Sequence, residues 1–595
     1  MATVFPLPEG KTVAISREIT GIPLAQPLWV SGISGRLAFD TAGHAYRPGV
    51  RTAPSPDLEA PSATNERDTV RVIADAALTN APEIRRQLEA RGHQFHSATD
   101  CEVIAHAYEE WGPRSLARLR GPFACAIWDT VARRLVLARD HIGLRRLFYA
   151  LLPGGGIAFA SDIQTLLQRH DIARDWSPEA IDAYLALGYV PSPLTAYQRI
   201  SKLEPAQLLQ VEGRGFHLEQ YWDLPRPAFV SVALDERLAT LGTGLRAALR
   251  GPEDPAGLLY SGSTASTVLL AASSPDRTIP ITVDVEEDGS ELARSEAAAT
   301  RLGHARQLEI VVPDAMTLAG EFAAQVSEPI ADPSAIVQLG VLRAARRHVD
   351  CALAAHGAAT LWASRTRQSI QRLDRQLQDT GAARRAYTVW DDQHRRAIYT
   401  RDFSWRVRAA DPCGRHLALH ASHPSDDPVE RALYVEMRTS LPDHLLTCAE
   451  HAAMATGVSL RYPFLDRELV VLAATTPAAE KDRGSTGNHA LRRLLLRQLP
   501  RTLMPLARPR APRHDWLRTA LAAMVPSMLL TPRFDGRGIV SRVALRRVWE
   551  EHRSGRRDHA SRLWALLMLE VWFERCVDSE AAGEPLEYAV LKAAA

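Results

Sequence analysis

Cysteine is scarce and scattered in this chain. Cys101, Cys125, Cys351, Cys413, Cys448 and Cys576 include no C-x-x-C pair, so neither a disulfide framework nor a zinc site is indicated, no metal ligand is expected, and the six read as reduced core or surface thiols. Also missing is an excess of charge of one sign. With 71 Lys and Arg against 69 Asp and Glu, net +2, composition argues for no nucleic acid and no membrane surface as partner. A small molecule or a protein is the expected partner. No apolar run reaches the roughly eighteen residues a membrane span needs. The opening MATVFPLPEGKTVAIS lacks a basic segment followed by an apolar stretch, so a cytoplasmic location is expected. A composition that is 46% hydrophobic and 24% charged is ordinary for a globular protein, so disorder is not the default expectation. At 595 residues the chain exceeds one core and calls for two to four domains.

The stretch that organises the chain is Leu258-Leu259-Tyr260-Ser261-Gly262-Ser263-Thr264-Ala265-Ser266-Thr267-Val268-Leu269-Leu270. Apolar residues, then small and hydroxylated ones, then a second apolar run predict a buried strand, a tight loop and the first turn of a helix. That geometry cradles phosphate on backbone N–H groups. Arg277 to Val285 reads as a second strand, Ser290 to Leu302 as a helix closed by Gly303, Leu308 to Val312 as a third strand and Val349 to Ala354 as a fourth. Strands alternating with helices predict a doubly wound parallel sheet whose ligands lie beyond the carboxyl ends of the strands, on the loops after Tyr260, Val285 and Ala354.

Before that region the pattern differs. Two amphipathic helices follow Asp75, and short strands are predicted at Phe123 to Trp128 and Arg134 to Arg139, an α+β layer. Dense prolines around Gly188-Tyr189-Val190-Pro191-Ser192-Pro193 mark a rigid crossing. From Arg365 to Pro424 an arginine-rich stretch carries Trp390, Tyr399 and Trp405; it reads as a solvated helical face or as a partner surface. Leu545 to Gly555 and Ser561 to Cys576 predict helices anchored by Trp564 and Trp572, packing as a C-terminal helical cap.

Several of these stretches resemble the asparagine synthetase family. RLRGPFACAIWDTVARRLVLARDHIGLRRLFYA with IAFASDIQTLL resembles its glutaminase domain, and Ser327-Glu328-Pro329-Ile330-Ala331-Asp332-Pro333-Ser334 and Arg461-Tyr462-Pro463-Phe464-Leu465-Asp466 resemble D-E-P-x-A-D-P-S and R-x-P-F-L-D. The resemblance implies an N-terminal nucleophile-type α+β sandwich over residues 1–225. An ATP-pyrophosphatase-like α/β domain over 226–595 would follow.

The family's chemistry rests on residues this chain lacks. Its glutaminase uses an N-terminal Cys exposed by loss of Met; here Ala2 is second, and the glutamine-gripping N-G-E falls on Asp75, Ala76 and Ala77. Its pyrophosphate loop, S-G-G-x-D-S, becomes Ser261, Gly262, Ser263, Thr264, Ala265 and Ser266, followed by Thr267, with Ala265 at the magnesium ligand. Its second acidic loop, S-G-D-G-G-D-E, falls on 354–360, keeping Gly357 and placing His356 at the base and Ala359 at the other magnesium ligand. Arg510 stands nearest to the lysine of R-P-K-x-x-F, as a charge that cannot deliver a proton. Cys-less first domains occur in lasso-peptide cyclases and β-lactam synthetases.

Three readings stay open at this point. In one the chain is a catalytically degenerate scaffold or partner subunit, a homodimer or in complex with an active paralogue, binding ATP weakly and without magnesium. In another it is an ATP-dependent amide ligase acting through an acyl-adenylate, with His356 and Arg510 as its catalytic residues. Glutamine-dependent asparagine synthesis is a third.

Overall fold

The computed structural model describes residues 34–37, 62–152, 156–212, 215–225, 232–251, 256–284, 289–305, 307–310, 320–322, 325–363, 388–482, 487–505 and 522–578. Ala2 and Arg510 lie outside them, as do Val285 and residues 365–387 of the arginine-rich stretch. The chain divides into two units: residues 1–177 with 192–223, and residues 178–191 with 224–595.

The first unit contains two antiparallel sheets. The strands are β1 (Ser34–Leu37), β2 (Ser62–Thr64), β3 (Val70–Ala76), β4 (Phe123–Asp129), β5 (Arg134–Arg139), β6 (Phe148–Leu151), β7 (Ile157–Ala160), β8 (Ile200–Lys202), β9 (Gln207–Glu212) and β10 (Gly215–Gln220). One sheet runs β10-β9-β5-β4-β3-β2 and the other β1-β7-β6-β8. Strand alternation sorts β4 between two cores. Phe123, Cys125 and Ile127 face the helices Ala81–Glu89 and Asp100–Trp111 through Leu88, Ile104 and Tyr108. Ala124, Ala126 and Trp128 meet Tyr149, Ile157 and Phe159 of the other sheet. Both faces are covered, which is why β4 and β5 read as nearly continuous apolar runs; Arg134–Arg139 is observed with the bounds predicted.

The second unit is built on a five-stranded parallel sheet: β11 (Ala256–Leu259), β12 (Thr278–Asp284), β13 (Gln307–Ile310), β14 (Cys351–Leu353) and β15 (Ser459–Arg461), in the order β13-β12-β11-β14-β15. The helices Thr264–Ala272 and Gly289–Arg301 carry the first two crossovers. The chain steps outward from β11 to β13 and then returns to place β14 on the other side of β11. That reversal is a topological switch point, and open parallel sheets bind ligands there.

The unit also takes in the helix Pro178–Leu187, whose sequence neighbours on both sides belong to the first unit. Asp182 on it receives Arg395 Nε at 2.8 Å and Tyr399 OH at 2.7 Å, and Tyr184 OH donates to Ala565 O at 2.7 Å. Arg395, Trp390 and Tyr399 are therefore buried, and of the three aromatics singled out in that stretch only Trp405 is exposed. The charge run is thus not simply a solvated face, because one of its arginines is neutralised inside the fold. The C-terminal helices Arg542–Arg553 and Ala560–Trp572 form as expected, with Trp564 and Trp572 buried.

Candidate functional site

The loop after β11 is fixed at its start by Tyr260. Its N–H donates to Ile281 O at 2.8 Å, its carbonyl accepts from Thr282 Oγ1 at 2.8 Å, and its hydroxyl donates to Ser295 O at 3.0 Å. Gly262 then takes φ +71°, and a Cβ there would lie 2.8 Å from Ser295 Cβ, so the turn needs glycine twice over. Ser263 caps the helix Thr264–Ala272, accepting from Ser266 N at 3.3 Å, while Thr267 Oγ1 donates back to Ser263 O at 2.8 Å.

Three hydroxyls form a triangle over this turn: Ser261 to Ser263 at 3.1 Å, Ser263 to Ser266 at 3.1 Å and Ser261 to Ser266 at 3.3 Å. The N–H groups of Thr264 and Ala265, the first two helical residues, have no acceptor within the helix. Hydroxyls that can turn outward and amides at a helix start suit a phosphate.

Across the switch point, Leu258 pairs with Leu353 in parallel register, so Ser261 and Gly357 follow adjacent strand ends on one edge of the sheet. The two loops therefore share the carboxyl edge, as the strand pattern predicted. Gly357 has φ +83° and lets the backbone pass against Leu465, whose Cδ2 would lie 2.2 Å from any Cβ placed there. Ala358–Leu361 is one short helical turn with Ala359 exposed on it.

His356 lies on the same loop, just before Gly357. Its Nε2 accepts from Gln338 Nε2 at 2.9 Å, and its ring meets Tyr462 edge-on at 5.6 Å. Burial lowers its pKa to about 4 rather than leaving it near neutrality, so the imidazole is neutral and weakly basic at physiological pH. Gln338 was not foreseen; the only pointer is that its helix, Pro333–Ala345, follows directly from the motif at 327–334.

The donor set decides which groups fit. Backbone amides and hydroxyls fit a phosphate. Magnesium does not fit the two loops, because residues 260–267 and 354–360 contain no carboxylate. Asp332, a conceivable substitute, is already engaged: it caps Pro333–Ala345 by accepting from Ser334 N at 2.8 Å and sits 3.0 Å from His444 Nε2. That bonding holds its carboxyl at about 2 against the upward pull of burial. Asp284 closes β12.

The other motif residues hold the frame. Arg461 Nη2 donates to Ala248 O at 3.0 Å and Arg250 O at 2.7 Å, Asp466 caps Arg467–Thr475, and Tyr462 OH donates to Glu450 Oε1 at 3.0 Å.

In the first unit, Asp75 is buried on β3 with Arg145 Nε 3.2 Å away. Cys101 is buried with its thiol directed at Ala74 O, and burial pushes it up to about 11. It is held as an inert thiol.

Comparison with known proteins agrees with this layout. The family described as glutamine amidotransferase domain matches residues 57–222, and the family described as asparagine synthase matches residues 253–574. A Mycobacterium tuberculosis protein named "Putative asparagine synthetase [glutamine-hydrolyzing]" is 29% identical over 604 residues, covering 91% of this chain and 90% of its own. Asparagine synthetase 1 of Bacillus subtilis, also named as glutamine-hydrolysing, is 23% identical, covering 88% of each. Among solved structures, a glutamine phosphoribosylpyrophosphate amidotransferase from B. subtilis is 15% identical, covers 57% of this chain and 65% of its own, and has a TM-score of 0.22, too low to carry argument. A parallel sheet with its switch point at the hydroxyl-rich loop, a preceding antiparallel two-sheet unit, and a match over more than half of the residues together place this chain in the asparagine synthase family.

Proposed function

We propose that the chain is an asparagine synthetase-like protein whose glutaminase and magnesium–ATP chemistry has been lost, and that it works as a scaffold or partner subunit. Its partner is a protein or peptide: a second copy of the chain, or an active paralogue. The observation that carries the reading is the pair of methyl groups at Ala265 and Ala359, where the resemblance puts metal-binding carboxylates on the two loops of the switch point. Displacement at an α-phosphate relies on magnesium for several kcal/mol of charge stabilisation, and each ~1.4 kcal/mol is a factor of about ten in rate. Ala2 in place of the cysteine nucleophile and the buried, protonated Cys101 support the same reading for glutamine hydrolysis.

Calorimetric titration with ATP, with and without magnesium, tests it. Weak binding that the metal barely changes, no AMP in the presence of amino-acid or peptide acceptors, and no glutamate from glutamine are expected. Ala265→Asp with Ala359→Asp should make nucleotide binding magnesium-dependent.

The retained loop favours a second reading, an ATP-dependent amide ligase of the lasso-peptide cyclase or amidotransferase kind, since Gly262, the hydroxyl triangle and the open amides still suit a phosphate. Tight binding only with magnesium, followed by AMP formation, would replace the first reading with this one.

A further inference from the structure

The first unit carries a cluster that none of the chemistry above uses. Glu66 lies in the turn between β2 and β3, His93 follows the helix Ala81–Glu89, and His106 and Glu109 stand one helical turn apart on Asp100–Trp111. One ligand atom from each of the four comes within 4.8 Å of all the others. His106 Nδ1 is 3.0 Å from Glu66 Oε2 and 3.9 Å from Glu109 Oε2; His93 Nδ1 is 3.7 Å from Glu66 Oε1 and 3.6 Å from Glu109 Oε2. Metal–ligand bonds of about 2.0–2.1 Å in a tetrahedron require ligand atoms roughly 3.3 Å apart. The four separations bracket that edge.

Hydrogen bonding does not account for the arrangement. His106 is fully buried, yet neither of its ring nitrogens makes a hydrogen bond among the described residues, and the same holds for His93 Nδ1 and Glu109 Oε2. Three of them, His106 Nδ1, His93 Nδ1 and Glu109 Oε2, converge with the Glu66 carboxylate. On the far side of each ring sits another carboxylate: Glu110 Oε2 is 3.3 Å from His93 Nε2, and Glu102 Oε1 is 3.8 Å from His106 Nε2. Glu102 is itself fixed by the amides of His96 at 2.6 Å and Ser97 at 2.7 Å. The Glu110 carboxylate hydrogen-bonded behind His93 is the usual support of a ligating histidine, because it sets the tautomer and the ring orientation; Glu102 faces His106 Nε2 beyond hydrogen-bond distance. Glu66 and Glu109 keep part of their side chains at the surface, 27% and 19%, which leaves a way in.

We propose that Glu66, His93, His106 and Glu109 bind one divalent transition-metal ion, zinc by ligand type and geometry. Two imidazoles and two carboxylates fill a tetrahedral shell, leaving no position for substrate, so the ion is structural. It ties the turn at Glu66 and the segment at His93 to the helix carrying His106 and Glu109. The second mixed cluster, Asp332, His444 and Cys448, is a poorer match: Asp332 is already bonded, and burial raises the Cys448 thiol far from the thiolate form that binds metal.

The test uses the full chain. Elemental analysis after exhaustive dialysis should find about one zinc per chain, and chelator should lower the melting temperature, with zinc restoring it. Cobalt(II) loading should give tetrahedral d–d absorption with no thiolate charge-transfer band. The double variant His93→Gln, Glu109→Gln changes two partly exposed ligands; it should fold yet bind zinc at least tenfold more weakly and show no chelator response. His444→Ala should keep the zinc. Zinc binding within twofold of the parent in the double variant, a thiolate band with cobalt, or a parent chain that takes up no zinc at millimolar concentration would overturn the assignment.

Discussion

Two loops, one in each unit, solve the same problem in opposite ways. After β5 the chain turns sharply over residues 140–145, and the buried carboxyl of Asp140 fills the turn. Its Oδ1 accepts from the amides of Ile142, Gly143 and Leu144 at 3.1, 2.8 and 2.9 Å, and its Oδ2 accepts from Arg145 N at 2.8 Å. Arg139 ties the same loop from outside through the carbonyls of Gly143, Arg145 and Leu203. After β11 the chain also turns sharply, but hydroxyls and open amides line that turn and no acid occupies it. The first loop satisfies its own donors and is a finished piece of structure. The second presents its donors to whatever anion arrives.

The largest expected effect is on the finished loop. Asp140→Ala removes the carboxylate acceptor of five amides, that of Phe123 at 3.4 Å as well as the four of the turn; Gly143 keeps Asp140 O at 3.2 Å, and at about 1 kcal/mol for each of the others the loss should reach roughly 4 kcal/mol. Asp140→Asn should cost about half as much, since an amide nitrogen then faces Arg145 N–H. Chemical denaturation of both variants measures this, and a loss under about 1 kcal/mol for the alanine variant would refute the self-filled loop.

A buried charge without such a cradle sharpens the contrast. Lys481 of the second unit is buried, and burial lowers its pKa from 10.5 to about 8, with Glu430 and Asp427 pulling it up and Arg237 pushing it further down. Below pH 8 the lysine is charged in both folded and unfolded chains, and the folded chain bears a penalty of about 3 kcal/mol at ~1.4 kcal/mol per unit. Between pH 8 and 10.5 the unfolded chain binds more protons, so this contribution to stability rises with pH. Lys481→Met should therefore be more stable than the parent at pH 7, with the gap closing towards pH 10; urea titrations at the two pH values should show it.

Smaller effects belong to the open loop. Gly262→Ala meets both a left-handed backbone and Ser295, and should cost about 2 kcal/mol in stability while weakening phosphate binding. Ser263→Ala removes the cap and one corner of the hydroxyl triangle and should cost about 1 kcal/mol. Thermal melts with and without ATP separate the two: a loop that only shapes the fold would lose the same stability in either condition.

The sequence carried the open loop well, because an apolar run ending in small hydroxylated residues is a local signal, and β11, Gly262 and the helix Thr264–Ala272 form where it placed them. Four of the five parallel strands were legible for the same reason; the three-residue β15 was not foreseen. Distance along the chain hid the rest. Arg395 looked like surface charge because its partner Asp182 is 213 residues away. The lowered pKa of His356 could not be read from the sequence, because the burial that causes it comes from packing and not from its neighbours along the chain. The spacing of residues 66, 93, 106 and 109 follows no motif, since three separate elements bring them together.

The helix Pro178–Leu187 has a consequence for how the molecule is made. Its partners Arg395, Tyr399 and Ala565 are translated 213, 217 and 381 positions after their contacts on it. At about 5–20 residues per second, the ribosome delivers Ala565 roughly 20–80 s after Tyr184 emerges. Through that interval a helix apolar on most of its faces has no complete seat, while the flanking segments already belong to another unit. The wait for a complete seat thus falls at one identifiable place in the nascent chain. A fragment started at residue 226 inherits the opposite defect: it contains the seat and not the helix.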